Sequence, residues 1–268
     1  MPKVLIFVDI VLIMKLGFIG TGKIASSVII GICNSNIPFT KILISPRNRL
    51  IAKKISKKFK KVIIAKDNQE IVSSCNWVFL SVTPTVGQKI IKELKFKSNQ
   101  TIISFISTIN LAQLKKIIKV KAKIVRAIPL PPISLKKGPV PIFPPNKKVK
   151  SFFNKIGKAI EIKNEKSSIN FWSTSGMMAP FYELLRVMIE WLVKRGIKRD
   201  NAQKYITSLF LALSEDAVAN SKKDLKHLVK ASQTPNGLNE QGVRELIKSG
   251  FYRKLEKALN NLHKRLNK

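Results

Sequence analysis

The chain has 268 residues, 45% of them hydrophobic and 24% charged, with only 2 cysteines. This balance excludes a disordered chain, and two cysteines exclude a disulfide framework, so a reducing, cytoplasmic compartment is expected. Fifty Lys and Arg against 15 Asp and Glu give a net charge of +35. The lysines are spread along the whole chain, which favours a compositional bias that attracts anionic ligands in general. Nucleic-acid binding through bulk charge is the non-enzymatic alternative.

The first apolar run, from Val4 to Met14, is interrupted by Asp9 and ends at Lys15. It is shorter than the roughly 20 residues that a membrane helix needs. No small-residue cleavage site of a secretory signal follows it. Residues 1–13 are therefore interpreted as a start-site extension ahead of a first strand, and no membrane partner is expected.

A short apolar strand, Lys15 to Ile19, leads into a glycine-rich turn and then into helical spacing from Lys23 to Cys33. The turn fits the pattern G-x-G-x-x-[GA] at Gly20, Gly22 and Ala25. In a dinucleotide site the first glycine makes the turn, the second lets the backbone approach a pyrophosphate, and the third position keeps the helix close to the sheet. The segment predicts such a site, and a plain strand-to-helix turn is the alternative.

The second predicted strand, Lys41 to Ser45, ends in "ISPRNR". An NAD site usually carries an acidic residue here to hold the ribose hydroxyls. Ser45, Arg47 and Arg49 stand in its place, and a guanidinium can bind a 2′-phosphate through two parallel hydrogen bonds. The sequence therefore favours NADP(H) over NAD, against the alternative of a helix-start turn with solvated arginines.

Further short runs rich in Ile and Val alternate with helical lengths, which is typical of βαβ units and a parallel sheet. The predicted strands are Val62–Ala65, Trp77–Val82, Thr101–Phe105 and Lys123–Ala127. A proline-dense loop, 129–145, follows, with a short helix and strand near 147–162. Beyond a polar link at 163–168 the pattern is helical only, so the chain divides into an α/β domain, 1–163, and a helical domain, 164–268.

Several blocks taken in order resemble the pyrroline-5-carboxylate reductases. They are "GFIGTGKIA", Asn68 in "AKDNQEIV", "VFLSVTP", "VRAIPLPP", "GIKRDNA" and "QTPNGLNEQGVRELIKSGF". The resemblance implies a Rossmann-type parallel-sheet domain, followed by an all-helical dimerisation domain that pairs in a homodimer or a higher homo-oligomer. It also implies NADPH-dependent reduction of a cyclic imine, 1-pyrroline-5-carboxylate, to proline.

The cofactor residues predicted from the motifs and the resemblance together are Gly20, Thr21, Gly22, Lys23, Ile24, Ser45, Arg47, Asn68, Val82, Thr83 and Pro84. The resemblance assigns substrate binding to Thr234, Pro235, Asn236, Gly237, Leu238 and Asn239. No cluster with metal-ligand spacing is present in the sequence, so no metal is expected.

The sequence departs from the family pattern at positions that the resemblance assigns to the active site. Asn239 stands where the family has a threonine suggested to donate to the imine nitrogen. An amide is a poor proton source, so Glu240 or water is expected to supply the proton. Leu130 and Pro131 also replace an Asn-Thr pair, and Thr83 replaces a lysine.

Three alternatives to the favoured reaction stay open at this point. One is a related imine reductase with another substrate. Another is a hydroxyacid dehydrogenase, against which stands the lack of lysine in "TSGMMAPFYELL". The third is a non-catalytic NADP-binding protein, which the altered loop would permit.

Overall fold

The computed structural model describes residues 14–267. The predicted N-terminal extension, 1–13, lies outside them. The contacts divide the chain into two compact units after Ser168, whereas the sequence places the domain boundary after residue 163.

The first unit is built on one eight-stranded sheet in the order β3-β2-β1-β4-β5-β6-β7-β8. Its strands are β1 (Met14–Ile19), β2 (Phe39–Ile44), β3 (Val62–Ile64), β4 (Trp77–Leu80), β5 (Thr101–Ser104), β6 (Lys123–Ala127), β7 (Pro139–Phe143) and β8 (Lys158–Glu161). Strands β1 to β6 are all parallel, β7 is antiparallel to β6, and β8 is parallel to β7. The predicted parallel-sheet domain is confirmed.

Helices cover both faces of this sheet. They are α1 (Lys23–Cys33), α2 (Arg49–Lys58), α3 (Asn68–Ser74), α4 (Pro84–Glu93), α5 (Leu111–Ile118) and α6 (Lys147–Asn154). Leu16 and Phe18 of β1 belong to one apolar cluster, and Ile19 belongs to the other. Because both faces are buried, the strands are nearly continuous apolar runs, which explains why they could be recognised in the sequence.

The proline-dense segment 129–145 is not a loop throughout, and that prediction was wrong. It contains a 3-10 turn, Pro131–Leu135, and then β7. Val140 and Ile142 of β7 are fully buried. Proline cannot donate a ladder hydrogen bond, so Pro139 and Pro141 argue against a strand in the sequence. In the fold β7 pairs with β6 over only two residues, and its main partner is β8.

The second unit is all helical, as predicted. Its helices are α7 (Ser168–Ser175), α8 (Met178–Val193), α9 (Arg199–Ala219), α10 (Lys226–Ala231), α11 (Leu238–Lys248) and α12 (Phe251–Leu266). Helices α8 and α9 pack around Ile189, Ala202 and Ile206. Large apolar side chains on these two helices stay exposed, among them Trp191 at 53% and Val218 at 71%. Between residues 14 and 267, no helix has both the length and the apolar character that crossing a membrane requires.

Candidate active site

The strand order places a crevice at one edge of the sheet. Sequence order reverses between β1 and β4, which lie side by side in the centre. Because β1 to β6 are parallel, the loops that follow them all emerge at the same edge. In open α/β sheets, ligands bind outside the carboxyl ends of the strands at such a switch point.

The glycine turn after β1 lines this crevice. Gly20 has φ of 96°, and a methyl group built on it would lie 2.5 Å from the carbonyl oxygen of Ser81, which follows β4. Gly20 is therefore required by the backbone itself. Gly22 differs, because its φ of −77° suits any residue and nothing lies within 4 Å of a methyl group built there. The space beside Gly22 is open for a ligand.

The N-terminus of α1 faces this space without a cap. Gly22 provides no side-chain cap, and the first turn has no acidic residue. Within residues 14–267, the amides of Lys23, Ile24 and Ala25 have no hydrogen-bond acceptor. Uncapped amides and the positive end of the helix dipole suit a pyrophosphate. Thr21 is buried and its hydroxyl donates to the carbonyl of Ser45 at 3.0 Å, which ties the turn to the end of β2.

The end of β2 presents a guanidinium. Ser45 is buried, and its amide donates to the carbonyl of Phe18 at 3.0 Å, so the strand end is fixed. Arg47 follows in the connecting loop and is exposed. Asn48 caps α2 by accepting from the amide of Ile51 at 3.3 Å. The position usually held by an acidic residue in NAD sites therefore carries a positive charge next to a buried, polar strand end.

Asn68 begins α3, directly after the loop that follows β3. Its Oδ1 is buried and has no hydrogen-bond partner in the described chain, while the neighbouring Asp67 caps the helix by accepting from the amide of Glu70 at 2.7 Å. A buried acceptor without a partner costs free energy of about 1 to 3 kcal/mol. Such an atom fits a site where a ligand supplies the missing donor. Together with the open space at Gly22, it indicates that the crevice suits a dinucleotide.

The loop after β4 forms the opposite wall. Val82 places its Cγ1 3.0 Å from a methyl group built on Gly20. Thr83 is the N-cap of α4 but makes no capping hydrogen bond with its side chain, and Pro84 takes the first helical turn. The walls of the crevice thus come from the loops after β1, β2, β3 and β4, where the sequence predicts the cofactor residues.

A buried ion pair at the same edge was not found from the sequence. Arg126 of β6 is 3% exposed and pairs with Glu165. Its second terminal nitrogen donates to the carbonyl of Ser107 at 2.6 Å. Burial lowers the pKa of Arg126, and the hydrogen bond to Glu165 opposes this shift. The only sequence signal is an arginine inside an apolar strand run.

The predicted substrate segment lies in the second unit, between α10 and α11. Asn236 has φ of 59°, and the amide of Gly237 donates to the carbonyl of Thr234 at 2.8 Å. Gly237 is the N-cap of α11 and has no side chain to cap it. Elsewhere in residues 14–267 no acceptor is present for the amides of Leu238 and Asn239. This turn therefore presents a second set of uncapped amides, which suits a carboxylate.

The two residues predicted to take part in catalysis make contacts inside the turn. The side-chain amide of Asn239 donates to the carbonyl of Ser232 at 2.8 Å. The carboxylate of Glu240 accepts from the amide of Asn236 at 2.6 Å. Asn239 is exposed and Glu240 is half-buried. In the described range, 14–267, no three His, Cys, Asp or Glu side chains come together as a metal site would require.

These features define an NAD(P)-dependent oxidoreductase with a Rossmann-type domain and a helical domain. Family models support each part: one described as "NADP oxidoreductase coenzyme F420-dependent" matches residues 15–109, and one described as "Pyrroline-5-carboxylate reductase dimerisation" matches residues 170–268. Together the two models, with the relatives below, support the pyrroline-5-carboxylate reductase family.

Curated relatives and solved structures match over nearly the full length. The pyrroline-5-carboxylate reductase of Pseudomonas aeruginosa is 25% identical over 257 residues, covering 92% of this chain and 93% of the relative. Pyrroline-5-carboxylate reductase 3 of Xenopus laevis is 23% identical, covering 89% of each. The structure of a Plasmodium falciparum pyrroline carboxylate reductase with NADP bound is 23% identical, covering 94% of this chain and 97% of that chain, with a TM-score of 0.80. The crystal structure of 1-pyrroline-5-carboxylate reductase from Streptococcus pyogenes has a TM-score of 0.79 at 22% identity, covering 94% of this chain and 98% of that chain.

Proposed function

We propose that the protein is an NADPH-dependent reductase of a cyclic imino acid, with 1-pyrroline-5-carboxylate as the substrate and proline as the product. The observation that carries this proposal is a pair of uncapped helix N-termini in one chain. One follows the Gly20 turn at the switch point of the sheet, and the other follows the turn at Gly237. The first suits a diphosphate and the second suits a carboxylate.

NADPH, when bound, supplies a hydride to the carbon of the C=N bond. The residues proposed to hold its pyrophosphate are at the N-terminus of α1: Gly20, Thr21, Gly22, Lys23 and Ile24. Arg47, beside Ser45, binds the 2′-phosphate, and Asn68 supplies its buried acceptor to the adenosine part. Val82, Thr83 and Pro84 form the wall after β4.

The substrate carboxylate is proposed to bind the main-chain amides of the turn from Thr234 to Asn239. Main-chain donors tolerate changes in side chain, so the family's second loop glycine can be retained as Gly237 while Asn236 replaces the first. Hydride transfer needs the C=N bond held close to the nicotinamide, and a fixed carboxylate provides that orientation. A hydroxyacid dehydrogenase would need a lysine in the segment that begins α8, and this chain has none there.

A homodimer formed by the helical unit is part of this proposal. Its support is the matching dimerisation model together with the exposed apolar side chains of α8 and α9, such as Trp191, Leu211 and Val218. A groove lined by Val187, Trp191, Leu192 and Tyr205 joins the apolar side chains of the two helices, and exposed apolar surface of this kind marks an interaction site. A cytoplasmic location also stays a prediction, supported by the two free cysteines. Analytical ultracentrifugation tests the dimer, and a monomer at micromolar concentration would contradict it.

The deciding experiment measures NADPH oxidation with a panel of five- and six-membered cyclic imino acids, with and without the ring carboxylate. We expect turnover of 1-pyrroline-5-carboxylate and much weaker turnover of the ring that lacks a carboxylate. NADPH binding without oxidation by any imine on the panel would instead support the non-catalytic alternative.

Phosphate recognition is tested by Arg47→Asp. We expect NADPH to bind about tenfold to a hundredfold more weakly, because a charge-assisted hydrogen bond contributes about 1.5 to 3 kcal/mol. NADH affinity should change far less. The matched control is Lys121→Asp, which makes the same charge change on an exposed residue before β6, at the opposite edge of the sheet. Equal losses for both cofactors would remove the proposed role of Arg47.

A further inference from the structure

The turn before α11 is closed by its own side chains. The amide group of Asn239 donates to the carbonyl of Ser232 at 2.8 Å, and this bond spans seven residues. The carboxylate of Glu240 accepts from the main-chain amide of Asn236 at 2.6 Å. Between them, the amide of Gly237 donates to the carbonyl of Thr234 at 2.8 Å. These bonds fix the main chain that leads into α11.

The backbone of the turn is closely packed at Gly237 and left-handed at Asn236. A methyl group on Gly237 would lie 2.2 Å from Oγ1 of Thr234. Asn236 is held at φ of 59°, a left-handed conformation that asparagine tolerates better than most residues. The direction of the Leu238 and Asn239 amides therefore depends on a strained local conformation, which the side chains of Asn239 and Glu240 stabilise.

Neither side chain is suited to give a proton. A carboxamide is not an acid in the physiological range, and the Glu240 side chain accepts a hydrogen bond from the Asn236 amide rather than donating one. Both groups are also already bonded to main-chain atoms of the turn. A proton donor would have to leave these bonds, and the turn would lose two of its supports in the same step.

We propose that Asn239 and Glu240 are positioning residues that hold the carboxylate-binding amides in place, and that the substrate brings its own proton as an iminium ion. This inference rests on the proposed function. Reduction of the iminium form adds a hydride, with its electron pair, to the C=N carbon and leaves a neutral secondary amine. The amine then takes its second proton from water, so no side chain has to be the acid.

Other charged groups near the turn are compatible with this assignment. Lys226 and Lys230 of α10 line a cavity together with Glu240, Thr234 and Pro235. Positive charge there attracts the substrate carboxylate.

The neighbouring ionisable groups of α10 have contacts of their own. The ring of His227 contacts the carbonyl of Asp224 and the side chain of Asn220, and Lys226 lies 4.0 Å from the carboxylate of Asp224. Among the residues that line the cavity, the titratable ones are Lys226, Lys230 and Glu240.

The test compares variants that separate hydrogen bonding from acidity. Glu240→Ala removes the acceptor for the Asn236 amide, and Glu240→Gln restores an acceptor oxygen but carries no acidic proton. Asn239→Leu keeps the approximate shape of the side chain and adds no charge, but removes the donor to Ser232. Glu245→Ala, further along α11, is the matched control.

We expect Glu240→Ala and Asn239→Leu to raise KM for the imino acid roughly three- to tenfold, the effect of losing one hydrogen bond, with kcat within roughly threefold. Glu240→Gln should recover most of the KM lost in Glu240→Ala. The pH profile of kcat/KM should keep one limb at the pKa of the free imine, which is measured separately by NMR titration. A tenfold fall of kcat in Glu240→Gln, or a limb away from the pKa of the imine, would overturn the proposal.

A readout that does not need turnover separates this inference from the proposed function. Amide hydrogen exchange of residues 236–239 should speed up in Glu240→Ala and return towards the wild-type rate in Glu240→Gln. If wild-type protein reduces no imino acid, the proposed function fails while the exchange result still reports on the turn. If the enzyme is active but the exchange rates are the same in all variants, the positioning role fails alone.

Discussion

Arg126 and Glu165 form an ion pair that joins the last parallel strand to the end of the first unit. The pair is mostly enclosed, with the Arg126 side chain 4% exposed and the Glu165 side chain 25% exposed. Arg126 also donates to the carbonyl of Ser107 at 2.6 Å, and Glu165 accepts from the amide of Leu111 at 2.8 Å. One buried charge pair therefore fixes the loop after β5 and the start of α5, both at the ligand-binding edge of the sheet.

Removing one partner of this pair should destabilise the first unit strongly. Arg126→Met removes the charge that pairs with the Glu165 carboxylate and the donor to the Ser107 carbonyl, and leaves Glu165 with only the Leu111 amide. Breaking a buried pair in this way costs about 3 to 5 kcal/mol. Glu165 keeps some solvent contact, so we expect the lower end of that range. Urea denaturation measures the loss.

The matched control is Lys123→Met, because Lys123 is an exposed residue of the same strand. It should change the free energy of unfolding by less than about 1 kcal/mol. Equal stabilities of the two variants would show that the Arg126–Glu165 pair contributes nothing to the fold.

Substitution by alanine should lower the stability of the protein at Gly20 but not at Gly22. Gly20→Ala places a methyl group 2.5 Å from the carbonyl of Ser81 at φ of 96°. We expect a loss of stability of about 1 to 3 kcal/mol. Gly22→Ala meets no atom within 4 Å, so stability should change by less than about 1 kcal/mol.

The same pair separates folding from binding. The methyl group of Gly22→Ala occupies the space where the pyrophosphate approaches the backbone, so NADPH affinity should fall at least about tenfold. Isothermal titration calorimetry on the folded variant measures this. Normal NADPH affinity in Gly22→Ala would show that the open space beside Gly22 is not the cofactor site.

The sequence was sufficient for the elements that repeat regularly. The helix from Lys23 to Cys33 and the strand from Lys123 to Ala127 have the predicted bounds. Both are recognisable because their apolar spacing reflects burial within one element. The dinucleotide turn could be predicted as well, because three glycine or alanine positions describe a local backbone geometry.

Features that depend on distant parts of the chain could not be predicted in this way. Strand β7 contains Pro139 and Pro141, and it is a strand because β8 pairs with it. Arg126 and Glu165 are 39 residues apart, so their pairing has no local signal. The side chains of Asn239 and Glu240 reach back seven and four residues to main-chain atoms of the turn, and residue identity alone does not predict those bonds.

Substitution of Asn68 should weaken NADPH binding without lowering the stability of the protein. Its Oδ1 is buried without a partner in residues 14–267, and such an atom destabilises the free protein by about 1 to 3 kcal/mol. Asn68→Ala should therefore leave the thermal midpoint unchanged or raise it, while NADPH affinity falls. Asn68→Asp, which keeps the acceptor and adds a negative charge, is the comparison variant. A lower midpoint with unchanged NADPH affinity in Asn68→Ala would assign Asn68 to structure alone.

The two thiols should be protected in the folded protein. Burial raises the pKa of Cys33 and the pKa of Cys75 from 9.0 to about 11. The thiolate is the reactive form, so alkylation by iodoacetamide at pH 8 should be slow in the native state and fast in urea. The folded protein holds the two thiol protons more tightly than the unfolded chain does. The contribution of the thiols to the free energy of unfolding is therefore fully present below pH 9.0 and declines as the pH rises towards 11. Unfolding of Cys33→Ala and Cys75→Ala between those pH values should show a smaller decline, and rapid labelling of native protein at pH 8 would contradict the raised pKa values.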